Sequence, residues 1–175
     1  MTRQQKKDIR KVLAGIVTNE HEAWWCNPHL FREKIEPIFP KEVEIIALPP
    51  KDAERQFNCF IYAFGLENDL KVLKSTRGFI YSPFVEKLIA AREFTEIKKP
   101  VPRDLVFYRN PKKFGGTITH AGLYTSDGRI LSKWSWGPVL KHKLLDVPDF
   151  YGNKISYYKP FSKRAMIKLY KKYQS

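Results

Sequence analysis

The sequence predicts an α+β protein of one domain, and three observations carry that reading. Apolar residues recur at helical spacing through most of the first half and switch to extended patterning after Pro100 and Pro102. The second half holds a strong hairpin signal at Ser126-Asp127-Gly128. The 175 residues are 43% hydrophobic and 14% aromatic, enough to build a core and too apolar for a disordered polymer. Helices first and strands after, joined by short connections, argue for α+β.

Residues 2–18 read as an amphipathic helix capped by Thr2, with Ile9, Val12, Leu13, Ile16 and Val17 on one side. Asn27-Pro28 opens a second helix that ends at Pro37, an N-cap followed by proline in the first turn. Val43–Leu48 reads as a strand stopped by Pro49-Pro50, and a short helix follows from Asn58 to about Leu66. Ser82-Pro83 opens another helix, with Phe84, Val85, Leu88, Ile89 and Ala91 along its apolar side. Leu105–Tyr108, Ile118–Thr125, Ile130–Trp136 and Lys154–Tyr158 read as strands, and Ser162 caps a last helix carrying Met166, Leu169, Tyr170 and Tyr173.

Composition narrows the partners. Thirty-two Lys and Arg against 18 Asp and Glu give a net charge of +14. Such a surface favours anionic partners: nucleic acid, anionic membrane or anionic wall polymers. The basic residues come in scattered pairs, such as Lys6-Lys7, Lys98-Lys99, Lys112-Lys113 and Lys171-Lys172, and no run forms a binding arm. No apolar stretch approaches the roughly 20 residues of a membrane span, and Val12–Val17 is too short for a secretion signal. A cytoplasmic location is the default, with export by a dedicated machine left open. Two cysteines make neither a disulfide scaffold nor a four-thiolate zinc site. Gly115-Gly116 lacks the spacing of a phosphate loop. Neither cofactor nor metal is expected, because Cys26, His29, Cys59 and His120 include no compact ligand pair. His21 is expected on the surface, and Cys26, ahead of the cap Asn27, is expected to fill a gap.

Cys59 stands at the centre of the chemistry. With Asn58 as N-cap it lies in the first turn of a helix, where unpaired N–H groups and the positive end of the helix dipole favour a thiolate. A buried cysteine serving as a small hydrophobe is the alternative. His120 opens a strand and can meet Cys59 through packing, giving the parts of a thiolate–imidazole pair. A three-residue loop 126–128 with Gly128 left-handed pairs Thr125 with Arg129. Gly122 then faces Ser132, and His120 shares a face with Ser132 and Trp134. A two-residue loop 127–128 places Lys133 and Ser135 there instead. Ser132 can orient the imidazole but holds no charge to stabilise an imidazolium. Trp134 and Trp136, expected on one strand face opposite Ser135, suit either a substrate groove or the core.

These residues carry a family resemblance. Asn58-Cys59 ahead of an apolar helix, Asp104-Leu105-Val106-Phe107-Tyr108, and His120-Ala121-Gly122-Leu123-Tyr124 followed by Asp127-Gly128-Arg129-Ile130-Leu131 resemble the NlpC-type papain-like superfamily of cell-wall peptidases and CHAP amidases. The resemblance spans about residues 57–160. Ser132-Lys133-Trp134, His142 and Tyr151-Gly152 are similar to an offshoot of it. It implies a papain-like fold, with a central antiparallel sheet packed on the helix bearing the Cys. Residues 1–55 would form an N-terminal helical cap, 56–160 the catalytic core and 161–175 a basic C-terminal helix. It further implies Cys59 as nucleophile, His120 as general base and Ser132 in the place of a third residue that is usually His, Asn or Gln; a bare dyad and His142 are the alternatives. Asp104 matches the Asp before a family strand, though Arg103 replaces the usual Gly, and Asn58 replaces a frequent Asp. The Cys59 N–H would form half an oxyanion hole and Gln56 or Asn58 the rest. Tyr124, Lys133, Trp134 and Trp136 would line the substrate, with His142 and Asp104 as accessory residues. The implied activity is a cysteine peptidase or amidase of bacterial or phage type, acting on a peptide or isopeptide amide, with cell-wall peptides the commonest target of the resembled family. A nucleic-acid-binding protein, a non-catalytic scaffold and an acyltransferase are the rival readings. Oligomeric state is not encoded in any feature above.

Overall fold

A computed structural model describes residues 3–17, 22–112 and 114–173. The expected cap Thr2, together with His21 and Lys113, lies outside the described residues. The helices are α1 (Arg3–Ile16), α2 (Glu22–Cys26), α3 (Pro28–Leu30, continued by a wider turn over Phe31–Ile35), α4 (Cys59–Ala63), α5 (Leu70–Thr76), α6 (Ser82–Ala90) and α7 (Lys163–Tyr173). The strands are β1 (Glu44–Ala47), β2 (Glu96–Ile97), β3 (Leu105–Arg109), β4 (Ile118–Tyr124), β5 (Ile130–Lys133), β6 (Val139–His142) and β7 (Lys154–Tyr158). The strands form one antiparallel sheet in the order β1-β6-β5-β4-β3-β7-β2. The protein is therefore α+β. No helix among the described residues is long and apolar enough to cross a membrane.

Local chemistry explains most of the boundaries. The Asn27 side chain accepts the N–H groups of His29 and Leu30, and the Asn58 side chain accepts that of Ile61. The Asp69 side chain caps α5, which the sequence reading omits. Ser162 Oγ accepts the Ala165 N–H at the start of α7. The hairpin takes the three-residue loop: Thr125 N–H bonds Arg129 O at 2.9 Å, and Gly128 is left-handed at φ 76°.

Ile130–Trp136 does not run as one strand. Ser135 adopts φ 51°, and the Gly137 N–H closes a turn onto Trp134 O at 2.9 Å, so β5 stops at Lys133. A side chain on Gly137 would overlap the Trp25 indole, which makes glycine necessary there. The chain then returns as β6, a strand absent from the sequence reading.

The sheet buries both faces. One carries α4–α7 over Phe107, Ile118 and Ala121, with Ile61, Leu73, Leu88 and Met166. The other packs Leu13, Trp25, Phe31 and Ile35 of the N-terminal segment against Val106, Tyr108, Ile130, Trp134 and Tyr151. Residues before 56 thus complete the second layer of core, and β1 extends the sheet beside β6. An irregularity between Tyr108 and Arg109, opposite Thr119, places Ile118 on the same face as Ala121 despite the odd spacing.

Candidate active site

Cys59 is the first residue of α4, and its helix is held by a cap buried on both sides. Asn58 is 2% exposed; its Oδ1 accepts the Ile61 N–H, and its Nδ2 donates to Ile80 O at 2.7 Å. One amide N–H is therefore spent on Ile80 O and the carbonyl oxygen on the cap, so Asn58 positions the start of α4. Gln56 is half-buried; its carbonyl lies against Gly78, which sits beside the Trp136 ring.

Three peptide N–H groups surround the Cys59 sulfur: those of Ala121, Phe60 and Cys59 itself. They favour the thiolate, as the helix start does. Burial opposes them and wins, pushing the thiol up to about 12. The resting side chain is thus a neutral thiol, where the sequence suggests a standing ion pair. The Ala121 N–H belongs to the peptide that joins Ala121 to His120, so the sulfur rests against the strand at the histidine.

His120 is fully buried, and neither ring nitrogen has a hydrogen-bond partner. Its ring stacks on Tyr151 at 3.9 Å between centroids and 9° between planes, with Tyr108 beside it at 5.4 Å. Burial, helped by nearby His142, holds its pKa well below the ordinary value, so the imidazole is neutral. Strand alternation sends Ala121 to the face that holds Cys59 and His120 to the other, and no hydrogen bond joins sulfur to imidazole. Tyr151 lies close enough to Cys59 for a thiolate there to hold its phenol protonated, and its hydroxyl bonds the Ser135 backbone. Sequence reasoning missed this ring-on-ring support; its one trace is the quoted Tyr151-Gly152.

Ser132 has other partners than His120. Its hydroxyl receives Trp134 Nε1–H at 2.9 Å and meets His142 Nε2 at 2.8 Å, while His142 Nδ1 meets Lys143 O at 2.8 Å. A carbonyl only accepts, so Nδ1 carries the proton and Nε2 accepts from Ser132. The chain of bonds is complete, and burial draws His142 down to about 4, fixing it neutral. Ser132 and His142 therefore brace the sheet; the shared face with His120 is real, but the hydrogen bond goes elsewhere.

The remaining expected residues divide. Lys133, at 1% exposure, donates to Gly137 O and lies 4.7 Å from the Phe57 ring centroid, two residues before Cys59. Trp134 is fully buried and belongs to the core, not to a groove; its carbonyl accepts the Trp25 indole N–H at 2.7 Å. It does not share a strand face with Trp136, because the turn after Lys133 separates them. Trp136 is half-buried, 5.7 Å from Phe79, which leads to exposed Tyr81 at 4.6 Å. Tyr124 pairs with Ile130 at the far end of β4, against Tyr157, away from His120. Asp104 accepts the Val101 N–H at 2.7 Å and pairs with Lys159 at 3.2 Å, fixing the turn into β3. It enters β3 at the opposite end from Tyr108, the residue across from His120.

Fold and site together define an α+β protein with a cysteine at a capped helix start, seated on an antiparallel strand beside a buried histidine. Residues 50–159 match the family described as a domain of unknown function, DUF7689, and the chain belongs to that family. The matched span includes Cys59, His120, Ser132, Lys133, His142 and Tyr151. No curated protein and no solved structure matches the chain.

Proposed function

We propose that the chain is a papain-like cysteine hydrolase, a peptidase or amidase acting on a peptide or isopeptide amide. One observation carries the reading: the Cys59 sulfur sits among three peptide N–H groups, one of them adjoining His120, whose neutral ring has no hydrogen-bond partner and keeps one nitrogen able to accept a proton. A helix-start cysteine packed on an antiparallel sheet supports the papain-like assignment.

In this mechanism Cys59 attacks the carbonyl carbon and forms a C–S bond. Its proton passes to the neutral His120 imidazole through a water relay around the His120–Ala121 peptide, because Cys59 packs on the face of β4 opposite the His120 side chain. The peptide N–H groups that face the sulfur favour the thiolate as it forms, and the Cys59 N–H would then turn to the carbonyl oxygen, where the negative charge develops on attack. The imidazolium returns the proton to the leaving amine as the C–N bond breaks, and water then hydrolyses the thioester. An amine in place of water makes the same site an acyltransferase. The net charge of +14 suits a substrate attached to an anionic polymer, of which a wall peptide is one form.

The test uses p-nitrophenyl acetate, an activated ester needing no known specificity. Acetylation of Cys59, seen by peptide mass, with turnover lost in Cys59→Ala and His120→Ala, is the expected result. A non-catalytic scaffold is the second reading, favoured by the 7% exposure of Cys59. It requires that Cys59 stay unacetylated in the folded protein.

A further inference from the structure

We infer that Lys133 supplies the positive charge that stabilises the Cys59 thiolate, a role that rests on the hydrolase reading above and adds a residue to it. Lysine is almost never fully buried without a partner, because an ammonium loses its hydration. Lys133 is 1% exposed at the end of β5, and among the described residues no carboxylate forms an ion pair with it. Its ammonium uses one donor on Gly137 O and lies over the Phe57 ring, an arrangement suited to a cation.

The placement leads to the sulfur. The β4–β5 register, Leu123 opposite Leu131, continues to Ala121 opposite Lys133, and the Ala121 N–H points at Cys59. Phe57 and Cys59 share the segment that enters α4. The titratable groups that act on Lys133 are the two cysteines, Cys26 from α2 and Cys59 from α4, and a thiolate on either favours the charged form of the lysine. Burial brings the amine down to about 7, so its charge is sensitive to a thiolate forming nearby. Tyr108, Tyr151, His120 and His142 are the other titratable groups around Cys59 and His120, and burial holds the Tyr108 phenol neutral. The two histidines are neutral at pH 7, and Tyr151, held well above its ordinary pKa, is neutral too. Lys133 is thus the cation available to a thiolate, and its burial is explained by function as well as by the Gly137 bond.

The experiment measures iodoacetamide alkylation of Cys59 in the full chain, by peptide mass, from about pH 6 to about pH 9. In Lys133→Met the profile moves up by about one pH unit, so alkylation at a fixed pH is about tenfold slower, and Lys133→Arg restores it. Circular dichroism checks the fold. If Lys133→Met does not fold, Lys133→Gln is read in its place, since its amide keeps a donor for Gly137 O without the charge. A rate for the uncharged variant equal to wild type at every pH overturns the inference. The hydrolase reading survives that outcome if the ester still acetylates Cys59 in a His120-dependent way. Absence of Cys59 acetylation in the wild-type protein overturns the hydrolase reading instead.

Discussion

Replacing Ser132 by alanine separates a brace from a catalytic residue. Ser132, Trp134 and His142 are all fully buried, and the serine hydroxyl both accepts the Trp134 N–H and serves His142 Nε2. Alanine leaves two buried polar groups without partners, and each such group costs about 1–3 kcal/mol. The expected loss is about 2–6 kcal/mol, or a fall of about 4–24 °C in Tm for a chain of this length. Thermal unfolding by circular dichroism reads the stability. Ester acetylation of Cys59, measured well below the new Tm, reads the chemistry. A variant that melts within about 2 °C of wild type yet loses acetylation would place the serine on His120, as the family resemblance implies, and refute the bonding described above.

Further expectations follow from buried charge and packing. The folded-state pKa of His142 lies near 4, below its ordinary 6.5, so the unfolded chain binds more protons between those values and stability falls as pH drops through that window. The loss is about 3 kcal/mol for His142, and His120 adds to it with the same sign; a urea midpoint that holds steady from about pH 7 to about pH 4.5 would contradict this. Glu86 on α6 accepts the Ile118 N–H at 2.7 Å and grips Arg109 at 2.5 and 2.9 Å, tying the helix to β3 and β4. Glu86→Ala should cost about 1–3 kcal/mol by denaturant titration, and no measurable change would show these bonds to be worth nothing net. Gly137→Ala should unfold or severely destabilise the protein, because the new methyl meets the Trp25 indole, and a near-normal Tm would mean that the turn relaxes freely.

Much of the fold was legible because its signals are local. The caps Asn27 and Asn58 form their own side-chain bonds, and Gly128 sets a hairpin register that follows from one left-handed residue. What was hidden depends on partners distant in the chain. The end of β5 is set by a turn whose Gly137 yields space to Trp25, and no pattern near Lys133 reveals that indole. Strand β6 is short and interrupted by polar residues, so it reads as a strand only beside β1 and β5. The site divides the same way. Cys59 at a capped helix start and His120 on the neighbouring strand follow from spacing and caps. Alternation places Ser132, Trp134 and His120 on one face, but competition among acceptors decides which of them bond, and His142 prevails. Burial is the other hidden quantity: the helix-start argument favours a thiolate, yet the surrounding core raises the thiol further than three N–H groups lower it.

The two cysteines provide the most direct measurement. Cys26 is half-buried and Cys59 buried, so access alone directs a small electrophile to Cys26. With limiting p-nitrophenyl acetate on the folded wild-type chain, site-resolved mass spectrometry should find the acetyl group on Cys59 first, followed by its hydrolysis, with the preference lost in His120→Ala. Acetyl appearing on Cys26 and surface lysines while Cys59 stays unmodified would contradict a nucleophile at the start of α4.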